Sequence, residues 1–133
     1  MKKAMRAVFA SGAIIAATAV TALAAGGPSG TYKTVIQGDS ALGGHLNGTW
    51  KIKFKAGAYH VSDNGHAITH GTFTISGHRI SLTDTGGANA CTGTGVYKFK
   101  IAGKTLTFTK IKDSKSCAGR AGVLSGHTFT KVS

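Results

Sequence analysis

Between Gly48 and Lys55 the chain reads Gly-Thr-Trp-Lys-Ile-Lys-Phe-Lys. Apolar and polar side chains take strict turns, and that alternation limits the fold more than any other feature. A period of two places Trp50, Ile52 and Phe54 on one face of an extended strand. Thr49, Lys51, Lys53 and Lys55 fall on the other. A helix would scatter these apolar residues around its circumference. The same alternation recurs beyond residue 30, broken roughly every eight to twelve residues by Gly, Asn or Asp, as in a sandwich or barrel. The chain has 20 Gly and a single Pro, so its turns rest mainly on glycine.

The strands expected from this pattern are residues 31–37, 48–55, 58–62, 67–76, 79–84, 96–101, 104–111 and 123–132. Residues 38–42 read as a loop or one short helical turn, and no helical period follows residue 30. The inward face comprises Trp50, Ile52, Phe54, Tyr59, Val61, Phe73, Ile75, Ile80, Leu82, Tyr97, Phe99, Ile101, Leu106, Phe108 and Phe129. Asn64-Gly65 suits a type I′ hairpin turn. Pairing across it sets Ile68 opposite Val61 and His70 opposite Tyr59, a parity at odds with inward Phe73 and Ile75. A bulge near Gly71 would reconcile them. Eight short strands joined by tight turns close most simply into an antiparallel up-and-down barrel, which leaves no free edges.

The N-terminus carries Lys2, Lys3 and Arg6, then an uncharged apolar run from Ala7 to Leu23 that ends in Ala22-Leu23-Ala24. This is the pattern of a secretory signal peptide covering residues 1–24, with cleavage after Ala24 or Ala25. A retained membrane anchor fits less well, because the run is rich in Ala, Gly and Thr; processing leaves no transmembrane segment. Residues 25–133 then form one domain with a modest core. Cys91 and Cys117 are the only cysteines and, in an exported chain, read as one disulfide. The location expected is secreted or extracytoplasmic, with association to the cell envelope open. The chain carries 16 Lys and Arg against 4 acids, Asp39, Asp63, Asp84 and Asp113. Such an excess serves solubility, or draws the protein to anionic cell-surface polymers.

With Gly48-Thr49-Trp50 the chain resembles the lipocalin-like, or calycin, group of β-barrels, especially short exported bacterial forms. The resemblance covers residues 48–132. It implies that Trp50 plugs the closed end of the barrel and that a basic residue from late in the chain, Arg120, packs across its ring. The chain is shorter than a typical lipocalin and has nothing after Val132 to supply the helix those proteins pack on the barrel. A small cavity and a filled interior therefore both stay open. Residues 124–132, Leu-Ser-Gly-His-Thr-Phe-Thr-Lys-Val, are similar to the last strand of the streptavidin/avidin family. That family grips biotin with several tryptophans, whereas this chain has one, and the acid expected after His127 is missing. The likeness is one of architecture, without the biotin site.

Catalytic machinery is not evident. There is no Gly-x-Ser-x-Gly elbow, and the four Asp residues look turn-forming. His66 and His70 are four apart, about 13 Å along a strand, too far to share an ion directly. His45, His60, His78 and His127 are scattered, so no metal or other cofactor is expected. His70 is the exception: pointing inward beside Tyr59, it would orient a ligand or bind haem iron. Lys51, Lys53, Lys55, Lys98 and Lys100 form outward rows without interleaved aromatics, which argues against specific nucleic-acid binding. The interior candidates for holding a small apolar or amphipathic ligand are Phe54, Tyr59, Val61, His70, Phe73, Tyr97, Phe99 and Phe108, with Tyr59 or Tyr97 as the polar handle. The alternative is a surface interaction protein with a filled core, either an inhibitor or an anionic-polymer binder. A small barrel enzyme is a third possibility.

Overall fold

A computed structural model describes residues 26–133; the signal peptide expected over residues 1–24 lies outside the described residues. Eight strands form a closed antiparallel up-and-down barrel: β1 (Gly30–Ile36), β2 (Gly48–Lys55), β3 (Ala58–Asp63), β4 (His66–Ser76), β5 (Arg79–Gly86), β6 (Thr94–Ala102), β7 (Thr105–Lys112) and β8 (Thr128–Lys131). Each strand pairs with its neighbour in sequence. β8 returns to β1 through Tyr32↔Lys131 and Lys33↔Thr130, which closes the barrel.

The two ends differ. At the lower end β2–β3, β4–β5 and β6–β7 join by tight turns at residues 56–57, 77–78 and 103–104. The upper end carries the Asn64-Gly65 turn and three longer connections, residues 37–47, 87–93 and 113–127. Asn64 and Gly65 have φ of 50° and 85°, the left-handed pair that a type I′ hairpin needs. A 3-10 turn, Ala41–Gly44, occupies the first long connection. The third holds a 3-10 turn, Lys115–Cys117, and a short helix, α1 (Ala118–Leu124).

The helix corrects the sequence reading, which treated residues 113–122 as loop and began the last strand at residue 123. Residues 118–124 contain Gly119 and Gly122 and have little helical propensity of their own. Tertiary contacts hold them: Cys117 is bonded to Cys91, and Val123 and Leu124 are buried against the barrel. Gly122 lets the helix approach closely, since an added Cβ would meet Leu46 Cδ1 at 2.6 Å and the leucine would have to shift. The strand is correspondingly short.

The interior contains Tyr32, Ile36, Trp50, Ile52, Phe54, Tyr59, Ile80, Leu82, Tyr97, Phe99, Leu106, Phe108 and Phe129, with half-buried Val61, Phe73 and Ile75 packed against them. Ile101, expected inward, is 38% exposed because its strand runs out beyond the core at the lower end. The bulge also differs from expectation. Val61 faces Thr69 but Ser62 faces Ala67, so Ile68 is the extra residue and the slip comes before His70. A second irregularity lies between β4 and β5, where His70 faces Gly86 and Gly71 faces Asp84. Tyr59 therefore sits opposite Gly71, and His70 opposite His60.

Candidate functional site

Aromatic packing divides the interior. Tyr97, Phe108 and Phe129 meet edge to face, with centroids 6.4 and 5.8 Å apart, and fill one side. Across the barrel, Phe54 is wedged between Tyr32 and Phe73, with centroids 6.1 and 5.4 Å away. Above Phe54 the packing leaves a cavity of about 130 Å³, walled by Trp50, Ile52, Phe54, Tyr59, Val61, Ile68, Leu82, Val123 and Leu124. The bulge turns Ile68 and Thr69 into the same wall. Exposed Asn89, Ser116 and Gly119 form its rim at the upper end, beside the Cys91–Cys117 disulfide. An apolar cavity of roughly 150 Å³ is known to admit one benzene-sized ring, which sets the scale.

One corner of this wall is polar. Asp84 continues the inward run Ile80, Leu82 along β5, and its side chain is only 4% exposed. Asp113, just past β7, is 1% exposed, and Arg120 of α1 is 9% exposed. Arg120 donates from Nε to Asp113 Oδ2 at 2.9 Å and from Nη2 to Asp113 Oδ1 at 2.6 Å. Nη2 also reaches the Gly93 carbonyl at 3.1 Å. Arg120 Nη1 lies 3.4 Å from Asp84 Oδ1. The Tyr59 hydroxyl donates to Asp84 Oδ1 and that of Tyr97 to Asp113 Oδ2, each at 2.5 Å. The Cys91 N–H donates to Asp84 Oδ2 at 3.0 Å. Two tyrosines, two carboxylates and one guanidinium thus make a continuous chain.

This chain shifts the groups that compose it. Burial raises the Tyr59 and Tyr97 hydroxyls well above the ordinary tyrosine value, and the acceptor carboxylates Asp84 and Asp113 raise them further. Burial alone would raise Asp113, but hydrogen bonds from Arg120, Tyr97 and the Ser114 N–H outweigh it and hold the carboxyl below its usual value. For Arg120 burial works against the charge, yet Asp113 and Asp84 keep the guanidinium firmly protonated. Each tyrosine is a committed donor, so neither hydroxyl proton is free for a ligand.

The residues expected to bind a ligand separate into three groups. Phe54, Tyr59 and Val61 wall the cavity. Phe73 packs behind Phe54, while Tyr97, Phe99 and Phe108 belong to the core away from the cavity. His70 is on the outer surface, its ring stacked 5.9 Å from that of His60 and its Nδ1 3.2 Å from Thr85 Oγ1. The early bulge reverses its parity, which corrects the expectation of an inward histidine. Trp50 is buried at the upper end, where its Nε1–H donates to the Leu46 carbonyl at 2.8 Å. Arg120 walls the same cavity, and the edges of its guanidinium are engaged by two buried carboxylates, the strong partners for a charged donor.

Asp84 and Asp113 are the polar residues that sequence reasoning passed over as turn residues. For Asp84 the signal was present, since Ile80, Leu82 and Asp84 share one parity. Asp113 follows a strand end and carried no such signal. Among the described residues no group of three or more His, Cys, Asp or Glu is placed to hold a metal ion, and no helix is long and apolar enough to cross a membrane. No protein-family model matches the chain, and neither a curated protein nor a solved structure matches it.

Proposed function

We propose that this chain is an exported carrier or scavenger of a small apolar or amphipathic molecule, of lipocalin-like type. The observation that carries the reading is the cavity behind the upper rim, with its aromatic and aliphatic wall and one polar corner. A few placed polar groups in an apolar concavity are what small-molecule sites generally present. The N-terminal signal pattern and the Cys91–Cys117 disulfide support export. Native mass spectrometry of the protein recovered from its own culture is the direct test. A bound mass released on unfolding supports the reading. If the protein is bare and small cyclic hydrocarbons leave the Val61, Leu82 and Val123 methyl resonances unmoved, the reading fails.

A second reading rests on a separate observation. Asp84 and Asp113 are withdrawn into the interior, while Lys33, Lys51, Lys53, Lys55, Lys98 and Lys100 are exposed on the outer wall. A barrel so clad would also adhere to anionic cell-surface polymers. Salt separates the two activities: adhesion through lysines fades as ionic strength rises, and interior binding persists.

A further inference from the structure

The polar corner specifies the chemistry of the molecule the cavity takes, given that the cavity is a ligand site as proposed above. Arg120 has two edges. Nε and Nη2 are fully engaged by Asp113 and the Gly93 carbonyl. Nη1 is buried and has no hydrogen-bond partner among the described residues. Its nearest carboxylate oxygen, Asp84 Oδ1 at 3.4 Å, already accepts from the Tyr59 hydroxyl. Asp84 and Arg120 both wall the cavity, whereas Asp113 does not. Nη1 lies on the Asp84 side of the guanidinium, and we take that edge as the one offered to the cavity. A buried donor left unpaired is costly, and a ligand atom that satisfies it is correspondingly favoured.

Charge decides which kind of atom. One guanidinium is shared between two buried carboxylates, so the corner carries a net negative charge. An anionic head group would be repelled by Asp84 and Asp113 in a poorly screened interior. A cationic head group would be drawn by that charge but has no lone pair to accept from Nη1, so it would leave the buried donor unpaired. We infer that the cavity takes a neutral, single-ring-sized molecule bearing a carbonyl-type oxygen, which accepts a hydrogen bond from Arg120 Nη1 while the ring lies against Trp50, Phe54 and Leu82.

A matched ligand series on the unmodified protein tests this without disturbing the network. Cyclohexanone, methylenecyclohexane, cyclohexanecarboxylate and cyclohexylamine share one ring and differ in the head group. Affinities are read from NMR titration, with the Leu82 and Val123 methyl signals reporting location. Cyclohexanone should bind about tenfold or more tightly than methylenecyclohexane, the usual scale for a hydrogen bond to a charged donor. The carboxylate and the amine should bind more weakly than the ketone. Equal affinity for the ketone and the hydrocarbon would mean that a resident water satisfies Nη1, and would overturn the inference while leaving the cavity as an apolar site. Tightest binding by the carboxylate or the amine would overturn the neutral class. If none of the four moves the cavity methyls, the ligand-binding reading falls and this inference goes with it.

Discussion

Arg120 is the residue on which the upper half of the barrel depends. Replacing it with Met would leave Asp113 and Asp84 buried without their counter-charge. Loss of one partner from a buried ion pair costs about 3–5 kcal/mol, so Arg120→Met should lower the urea midpoint by a corresponding amount. An unchanged midpoint would mean that the carboxylates are neutral in the folded protein. Tyr97→Phe is milder. It removes one donor from Asp113, at about 1–2 kcal/mol, and the Asp113 carboxyl should move up toward its ordinary value in a carbon-detected NMR titration. Gly71→Ala probes a different constraint. A Cβ there would clash with the Thr83 carbonyl oxygen of β5 and lie 2.6 Å from Tyr59 Oη, so both the β4–β5 pairing and the ring must shift, at a cost of about 1–3 kcal/mol. At this scale the sequence was legible wherever apolar side chains alternate, as at Trp50, Ile52 and Phe54, whereas Asp84 shares that parity and was still taken for a turn residue. The sequence was illegible where one guanidinium gathers two carboxylates, Asp84 and Asp113, because that meeting depends on which loops come together in space.

Among the elements, α1 differs most from what local sequence implies. Ala-Gly-Arg-Ala-Gly-Val-Leu has poor intrinsic helicity, and seven residues are too few for an isolated helix. The disulfide, the Arg120 ion pairs and the burial of Val123 and Leu124 supply what propensity lacks. Reduction of Cys91–Cys117 should therefore cost about 3 kcal/mol and act locally. Amide exchange should accelerate across residues 87–93 and 115–124 while the paired centres of β6 and β7 stay protected. Uniform acceleration would show that the staple stabilises the whole barrel and not the rim in particular. The strands were far easier to anticipate: β2 was read to the residue from its alternation. A bulge was expected near Gly71, but the β3–β4 slip comes earlier, at Ile68, because register across Asn64-Gly65 gives no hint of where an extra residue is absorbed; that slip alone moved His70 to the outer surface.

For the molecule as a whole, charge is partitioned between inside and outside. All three tyrosines are buried, and Tyr32, like Tyr59 and Tyr97, is shifted upward by burial. Their folded values lie above the ordinary tyrosine value near 10, so their contribution to stability is complete below about pH 10 and is lost as pH rises beyond it. Tyrosinate absorbance should therefore stay absent near pH 10 and appear together with cooperative unfolding at higher pH. A stepwise titration that leaves the far-ultraviolet spectrum unchanged would contradict the buried network. Asp113 acts in the opposite direction. Its folded value is depressed, so its contribution is complete above the unfolded value near 4 and is lost as pH falls through the folded one.

Barrel closure has a further geometric consequence. The Thr31 N–H donates to the Ser133 carbonyl at 3.0 Å, and the Val132 N–H to the Thr31 carbonyl at 2.8 Å. The start of β1 and the end of β8 thus meet at the lower end, and the cavity rim is at the upper one. A short linker joining Gly30 to Ser133 would span almost nothing, and new ends cut at Gly77-His78 should leave every paired strand intact. A barrel tethered through either of its ends, to a bead, a fusion partner or a cell surface, holds its mouth outward into the medium.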